Sequence, residues 1–165
     1  MRTTRALLSL AFGLTLLGCS DSVSPIERQL EVAEARWQAQ ALSQYVVESR
    51  GGCFMCVPIA SRWHRLRVVN ATVEEVTLID PAATPDDGPV LGPASFRSVE
   101  QTFARIREWP QLERGNRVEA EFDPVTGLPT EVHFIAPSSV ADGGFSVSFR
   151  ALAPGLSSAG ASVHR

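Results

Sequence analysis

The feature that most limits what this chain can fold into is a period-two alternation that recurs three times in its C-terminal half. Val118, Ala120 and Phe122 alternate with Glu119 and Glu121, Val132 and Phe134 with Glu131 and His133, and Phe145, Val147 and Phe149 with Ser146, Ser148 and Arg150. Side chains along a strand point to opposite faces, so each segment offers one apolar and one wet face. Three in succession predict an antiparallel meander whose apolar face must be covered.

Two helices are the expected cover. Ser24, Pro25 and Glu27 form a capping pattern, with serine as N-cap and proline at the first helical position. Behind them Ile26, Leu30, Ala33, Trp37 and Ala41 recur at three- and four-residue steps, the stripe of an amphipathic helix. A second helix starts at Ser98, with Gln101 completing a capping pair and Val99, Phe103 and Ile106 as its stripe. Pro110 is expected to end it, because the residue before a proline is pushed out of helical conformation. Between the helices, Gln44 to Arg50 reads as a strand stopped by Gly51-Gly52, and Ser61 to Val69 and Thr72 to Ile79 as two more. Asn70-Ala71 is the turn between the last two; Ala71 is a poor occupant of positive φ, which speaks against a type I′ turn. The proline-rich segment from Asp80 to Pro93 is an exposed loop. The expected fold is therefore α+β, with two helices on one face of an antiparallel sheet of about six strands.

The N-terminal residues speak about location instead. Arg2 and Arg5 precede an uncharged stretch from Ala6 to Leu17, then Gly18 and Cys19. A spanning helix needs about 20 apolar residues, so this run is read as a secretory signal. Leu16-Leu17-Gly18-Cys19 resembles the lipobox of bacterial lipoproteins. That resemblance implies a signal peptide over 1–18, acylation of Cys19, a lipidated tether over 19–24, and attachment to the cell envelope. By the same analogy Ser20, in place of an aspartate, favours the outer membrane in a diderm host. The domain then occupies 25–152, and the Gly-, Ser- and Ala-rich stretch 153–165 is expected to be disordered. Removing Arg2 and Arg5 moves the formal charge from −3 to −5. Every Lys-or-Arg position is arginine, and these are scattered, so no clustered basic surface marks a nucleic-acid partner.

Few residues invite chemistry. With Cys19 acylated, Cys53 and Cys56 are a matched pair outside the cytoplasm, to be read as a local disulfide, a redox-active pair or metal ligands. They lie in a loop between strands, without the helix N-terminus that lowers the pKa of a redox thiol. A zinc site with His64 and His133 would need two isolated histidines from separate strands; both are expected on the solvent face or a sheet edge. Asp123-Pro124-Val125-Thr126-Gly127 offers oxygens for calcium but no second carboxylate, and every one of its residues suits a turn. Glu119, Glu121 and Glu131 are a solvated sheet face; no nucleophile elbow and no phosphate-binding glycine loop occurs. No catalytic residue, metal or cofactor is assigned.

The order of elements resembles an uncharacterised bacterial family, domain of unknown function 6174. The resemblance is carried by Tyr45-Val46-Val47 leading to Cys53 and Cys56, by Val68-Val69-Asn70-Ala71-Thr72-Val73, by Ser98-Val99-Glu100-Gln101-Thr102-Phe103, and by Phe122-Asp123-Pro124-Val125-Thr126-Gly127-Leu128-Pro129. It spans Trp37 to Leu152 and departs from the pattern at the cysteine spacing and at Ala71. The resemblance implies a secreted or lipid-anchored protein and no known catalytic residue. The expectation is a lipid-anchored, non-enzymatic module that binds an envelope protein, polymer or small ligand on the uncovered sheet face, beside the cysteine and proline-rich loops. The competing expectation is an envelope thiol-disulfide oxidoreductase using Cys53 and Cys56.

Overall fold

The pairing of the strands shows how the alternations combine. The computed structural model describes residues 25–53, 56–140 and 143–154. Along the chain come α1 (Pro25–Ala39), β1 (Gln44–Cys53), β2 (His64–Val69), β3 (Thr72–Leu78), α2 (Val99–Leu112), β4 (Arg117–Phe122), β5 (Pro129–Ile135) and β6 (Phe145–Pro154). The six strands make one antiparallel sheet in the order β3-β2-β1-β6-β5-β4. The α+β class and the order helix, three strands, helix, three strands are as expected. Two meanders are joined where the first strand pairs with the last, from Tyr45 opposite Pro154 to Cys53 opposite Phe145. The signal, the tether and residues 155–165 lie outside the described residues, and so does Cys19.

One sheet face is dry. Tyr45 and Val47 of β1, Leu66 and Val68 of β2, Val132 and Phe134 of β5 and Phe149 of β6 are buried against Leu30, Ala33 and Trp37 of α1 and Val99, Phe103, Ile106 and Trp109 of α2. Fully burying a large apolar side chain contributes about 1.5–3 kcal/mol, so this stripe-on-face packing, more than helix propensity, holds the helices in place. A polar knot pins them in register. The Tyr45 hydroxyl donates to Glu100 Oε2 (2.7 Å) and accepts from the Val99 N–H (3.1 Å), while the Trp37 indole donates to Glu100 Oε1 (2.9 Å). One carboxylate in the first turn of α2 thus ties together both helices and the central strand.

The Asp123 segment is the expected turn, and it also positions α1. Asp123 Oδ1 accepts from the N–H groups of Val125 (3.0 Å) and Thr126 (2.7 Å) and from the Thr126 hydroxyl (2.8 Å). Gly127 has φ +77°, and a Cβ there would run into the Ala33 carbonyl and lie 3.0 Å from the Trp37 nitrogen. Only glycine allows the turn to lie this close to the helix backbone.

Several local expectations are corrected. The first helix stops at Ala39, and Ala41 is exposed at φ 49°, so it leaves the stripe where the chain turns into β1. Gly51-Gly52 does not stop the strand, since both pair with β6, opposite Val147 and Ser146, and the ladder outweighs their poor strand propensity. Asn70 and Ala71 both have positive φ, 48° and 61°, as a type I′ turn requires; the two-residue connection imposes the twist on alanine. Pro110 sits inside α2, which continues to Leu112. Near the helix end it removes a single intrahelical bond, and Gln111 Nε2 donating to the Arg107 carbonyl (3.1 Å) and Asn116 Nδ2 to the Trp109 carbonyl (2.9 Å) satisfy neighbouring carbonyls. His64 is neither solvent-facing nor at an edge; it is fully buried on the inward face of β2. The capping box of Ser98 and Gln101 is formed as expected.

Candidate functional site

Side-chain size along β1 creates the site. The residues it turns inward are Tyr45, Val47, Ser49, Gly51 and Cys53, and their side chains shrink from Tyr45 to Gly51 as the strand leaves the helices. The apolar layer that Tyr45 and Val47 fill is therefore missing at the far end. What remains is a cavity of about 350 Å³, open to solvent on one side. Its floor is Ser49, Gly51 and Gly52 of β1 with Phe134, Phe145 and Val147; one wall is Cys53, Cys56 and Ala60; the opposite wall is Leu91 and Ser95–Arg97, ahead of α2 and its Thr102. A volume of this size falls at the small end of the range for small-molecule pockets, roughly 300–1,000 Å³.

Cys53 and Cys56 form a disulfide with Cα atoms 5.2 Å apart. Cys53 is the last residue of β1 and pairs with Phe145, so the bridge closes a tight loop at a strand end. The segment after it is a four-residue 3-10 turn, Pro58–Ser61, too short to supply a helix field. The bridge shapes the cavity wall. Neither histidine joins it. His133 points outward and pairs with Glu131 (3.0 Å), whereas His64 is buried on the other face. No group of three His, Cys, Asp or Glu among the described residues is placed to hold a metal ion.

His64 Nδ1 lies 2.8 Å from the Arg62 carbonyl, which makes Nδ1 the protonated nitrogen and leaves buried Nε2 as an acceptor without a donor among the described residues. Its ring packs 4.8 Å from Phe96, and burial lowers its pKa below the usual histidine value, so it stays neutral. Ser49 faces it across the β1–β2 ladder and lines the cavity, yet among the described residues no hydrogen bond joins the two side chains and no carboxylate is hydrogen-bonded to the ring. A nucleophile-and-base pair is not assembled there.

The positive charge at the cavity rim is unbalanced. The Arg97 guanidinium lies 5.5 Å from the Phe145 ring centroid, and among the described residues it has neither an ion pair nor a hydrogen bond. Loss of water around it, then the proximity of Arg105, lowers its pKa. Arg105 stands one turn after Thr102, 4.9 Å over Trp109; among the described residues its buried Nε has no acceptor, and the carboxylate it pairs with, Glu108, is 3.8 Å away. Trp109 in turn meets Phe145 edge-on at 5.5 Å. Two guanidiniums thus rest on one aromatic cluster with too few anions.

The uncovered sheet face, where ligand binding was expected, is different. Glu48 bridges Arg150 (2.9 Å) and Arg65 (3.4 Å), and Arg67 takes Glu74 (3.0 Å) and Glu75 (3.2 Å). Trp63 lies under Arg150 (3.8 Å) and Arg50 (4.8 Å). That face is a laced charge surface. The cavity lies on the helix-bearing side, still bordered by the cysteine loop and the end of the proline-rich segment. Within that segment Asp87 is buried rather than exposed, held by the Arg62 guanidinium (3.1 Å), which with the Thr84 N–H keeps its carboxyl below the usual range.

Sequence reading found the cysteines of this site but missed Arg97, Phe96 and Gly51. The shrinking series at alternate positions of β1 was a visible signal for the cavity; nothing local in the sequence marked Arg97. No curated protein and no solved structure matches the chain. A family model described as a family of unknown function matches residues 29–154, covering most of α1, the rest of the described fold and the whole cavity. With the match extending over most of its length, the chain belongs to that family of unknown function, DUF6174.

Proposed function

We propose that this protein is a lipid-anchored component of the cell envelope, held by acylated Cys19, that works as a non-enzymatic binding module and takes its ligand in the cavity between the disulfide loop and the Leu91–Arg97 segment. The observation that carries this reading is the construction of the cavity. Its described lining is mostly apolar, with a few hydroxyls, backbone groups and one guanidinium as its polar groups, the composition of a site that holds and orients a molecule. The described lining residues include no acid or base that would activate a hydroxyl.

Gly51 provides the test. A Cβ there would meet only the Ala60 and Ser146 carbonyl oxygens, both at 3.7 Å, an ordinary contact. Gly51→Val is therefore expected to narrow the cavity at its floor while raising stability by about 0.5–1 kcal/mol, the usual cost of a strand glycine. Small molecules extracted from full-length protein purified out of envelope membranes should include a species retained by wild type and lost from Gly51→Val. Equal retention by both proteins refutes the cavity as the site. The intact mass of the same preparation reports acylation of Cys19, and Cys19→Ser should release the protein from membranes.

The disulfide at the cavity wall, with Cys56 exposed, gives the oxidoreductase reading its one point of support. Under that reading Cys53→Ser leaves Cys56 to trap partner proteins as mixed disulfides. Under the binding reading it traps none, and the bridge survives a mild glutathione buffer.

A further inference from the structure

Resting on the cavity reading above, we infer that the ligand is a single-chain amphiphile with an anionic head, its apolar body in the cavity and its head on Arg97 and Arg105. Three observations converge. The walls that meet the body are Leu91, Phe96, Phe134, Phe145 and Val147, with the disulfide beside them, a surface suited to an acyl chain or an aromatic ring and to little that is polar. The volume of about 350 Å³ accommodates one such chain and not the two of a membrane phospholipid.

The charge at the rim then fixes the sign of the head. Elsewhere in the fold the guanidiniums of Arg62, Arg65, Arg67, Arg107 and Arg150 each have a carboxylate partner, while Arg50 over Trp63 has none among the described residues; Arg97 differs from Arg50 in lining the apolar cavity. Arg97 has none among the described residues, and Arg105 has only the distant Glu108 and an Nε without an acceptor. Arg97 lines the apolar enclosure over Phe145, and Arg105 stands over Trp109, whose ring meets Phe145, so a carboxylate or phosphate at Arg97 gains charge-assisted hydrogen bonds with the second guanidinium nearby. A cationic head would meet repulsion from both arginines, and a neutral head would leave the charge uncompensated.

The full-length protein in membranes from expressing cells is photolabelled with a diazirine analogue of decanoate, and the labelled peptides are identified by mass spectrometry. Label is expected on Leu91–Arg97 and on Phe145–Val147, removed by decanoate at concentrations about tenfold below those needed with decanol. Arg97→Gln should weaken decanoate competition about tenfold and leave decanol competition unchanged, and Arg97→Lys should recover part of the loss. Arg97 is exposed, so these variants are expected to fold, and their melting temperatures check it. Decyl phosphate runs as a third competitor: if it outcompetes decanoate the head is a phosphate, and if it does not the head is a carboxylate, either result supporting an anionic head. Decanol competing as well as decanoate, or Arg97→Gln without effect, overturns this inference. In that case loss of label in Gly51→Val still upholds the cavity reading, whereas wild-type protein without cavity label overturns both.

Discussion

Tyr45→Phe removes one oxygen from the centre of the fold, and its cost is open to calculation. The substitution breaks a 2.7 Å hydrogen bond to the Glu100 carboxylate, of a kind worth about 1.5–3 kcal/mol. It also strands the buried Val99 N–H at the start of α2, for about 1–3 kcal/mol. Glu100 is only partly buried and regains water, which offsets part of this, so the net loss should be about 2–4 kcal/mol. With a urea slope of roughly 2 kcal/mol/M for a domain of this size, the midpoint should drop by about 1–2 M. The same knot governs the alkaline limb. Burial, then the hydrogen bond and charge of Glu100, push the Tyr45 pKa far above its ordinary value of 10.0. An unfolded tyrosine releases its proton near pH 10 while the folded one retains it, so the folded state binds more protons above that pH and stability falls as pH rises. This chain has one tyrosine and no lysine. Tyrosinate absorbance therefore reports Tyr45 alone, and it should appear only with the loss of far-ultraviolet circular dichroism. A Tyr45→Phe cost under about 0.5 kcal/mol, or tyrosinate forming near pH 10 in folded protein, would refute the reasoning.

Gly127→Ala forces a side chain into the α1 backbone at φ +77° and should cost about 3 kcal/mol or more, read as a melting temperature lowered by at least 10 °C or as unfolded protein. His64 is held neutral by burial, so its contribution is intact above an unfolded pKa of about 6.5 and is lost as pH falls through its lowered folded value. The urea midpoint of wild type should decline between about pH 7 and 5, and that of His64→Leu should stay flatter over the same range. Replacing both Cys53 and Cys56 by serine opens a loop with a sequence separation of only 3, so equilibrium unfolding should show a loss of about 2 kcal/mol or less. The same pair of changes should loosen ligand retention, because it removes a wall of the cavity.

Local signals worked where one element carried its whole cause. The Ser98 capping box, the Asp123 turn and the three alternating strands each draw on neighbours a few residues away, and each forms as the sequence indicates. They failed where a distant partner outweighed propensity. Gly51-Gly52 reads as a stop but is held in β1 by β6, nearly a hundred residues on. Ala71 resists positive φ but is compelled by the register of β2 and β3. His64 looked like a surface histidine because isolated polar residues usually are; its inward position follows from Leu66 and Val68 fixing the parity of the strand.

By itself the sequence determined the α+β class, the order of helices and strands and the apolar stripe of each helix up to Trp37 and Ile106, because periodicity and capping are local and strongly patterned. Only the tertiary structure decided that the two meanders join through β1 and β6 and that Glu100 knots both helices to Tyr45. It also decided that small residues on β1 open a cavity lined by Phe96 and Arg97. These depend on which residues meet across a sheet and on what volume is left when they do, and no window along the chain contains that information.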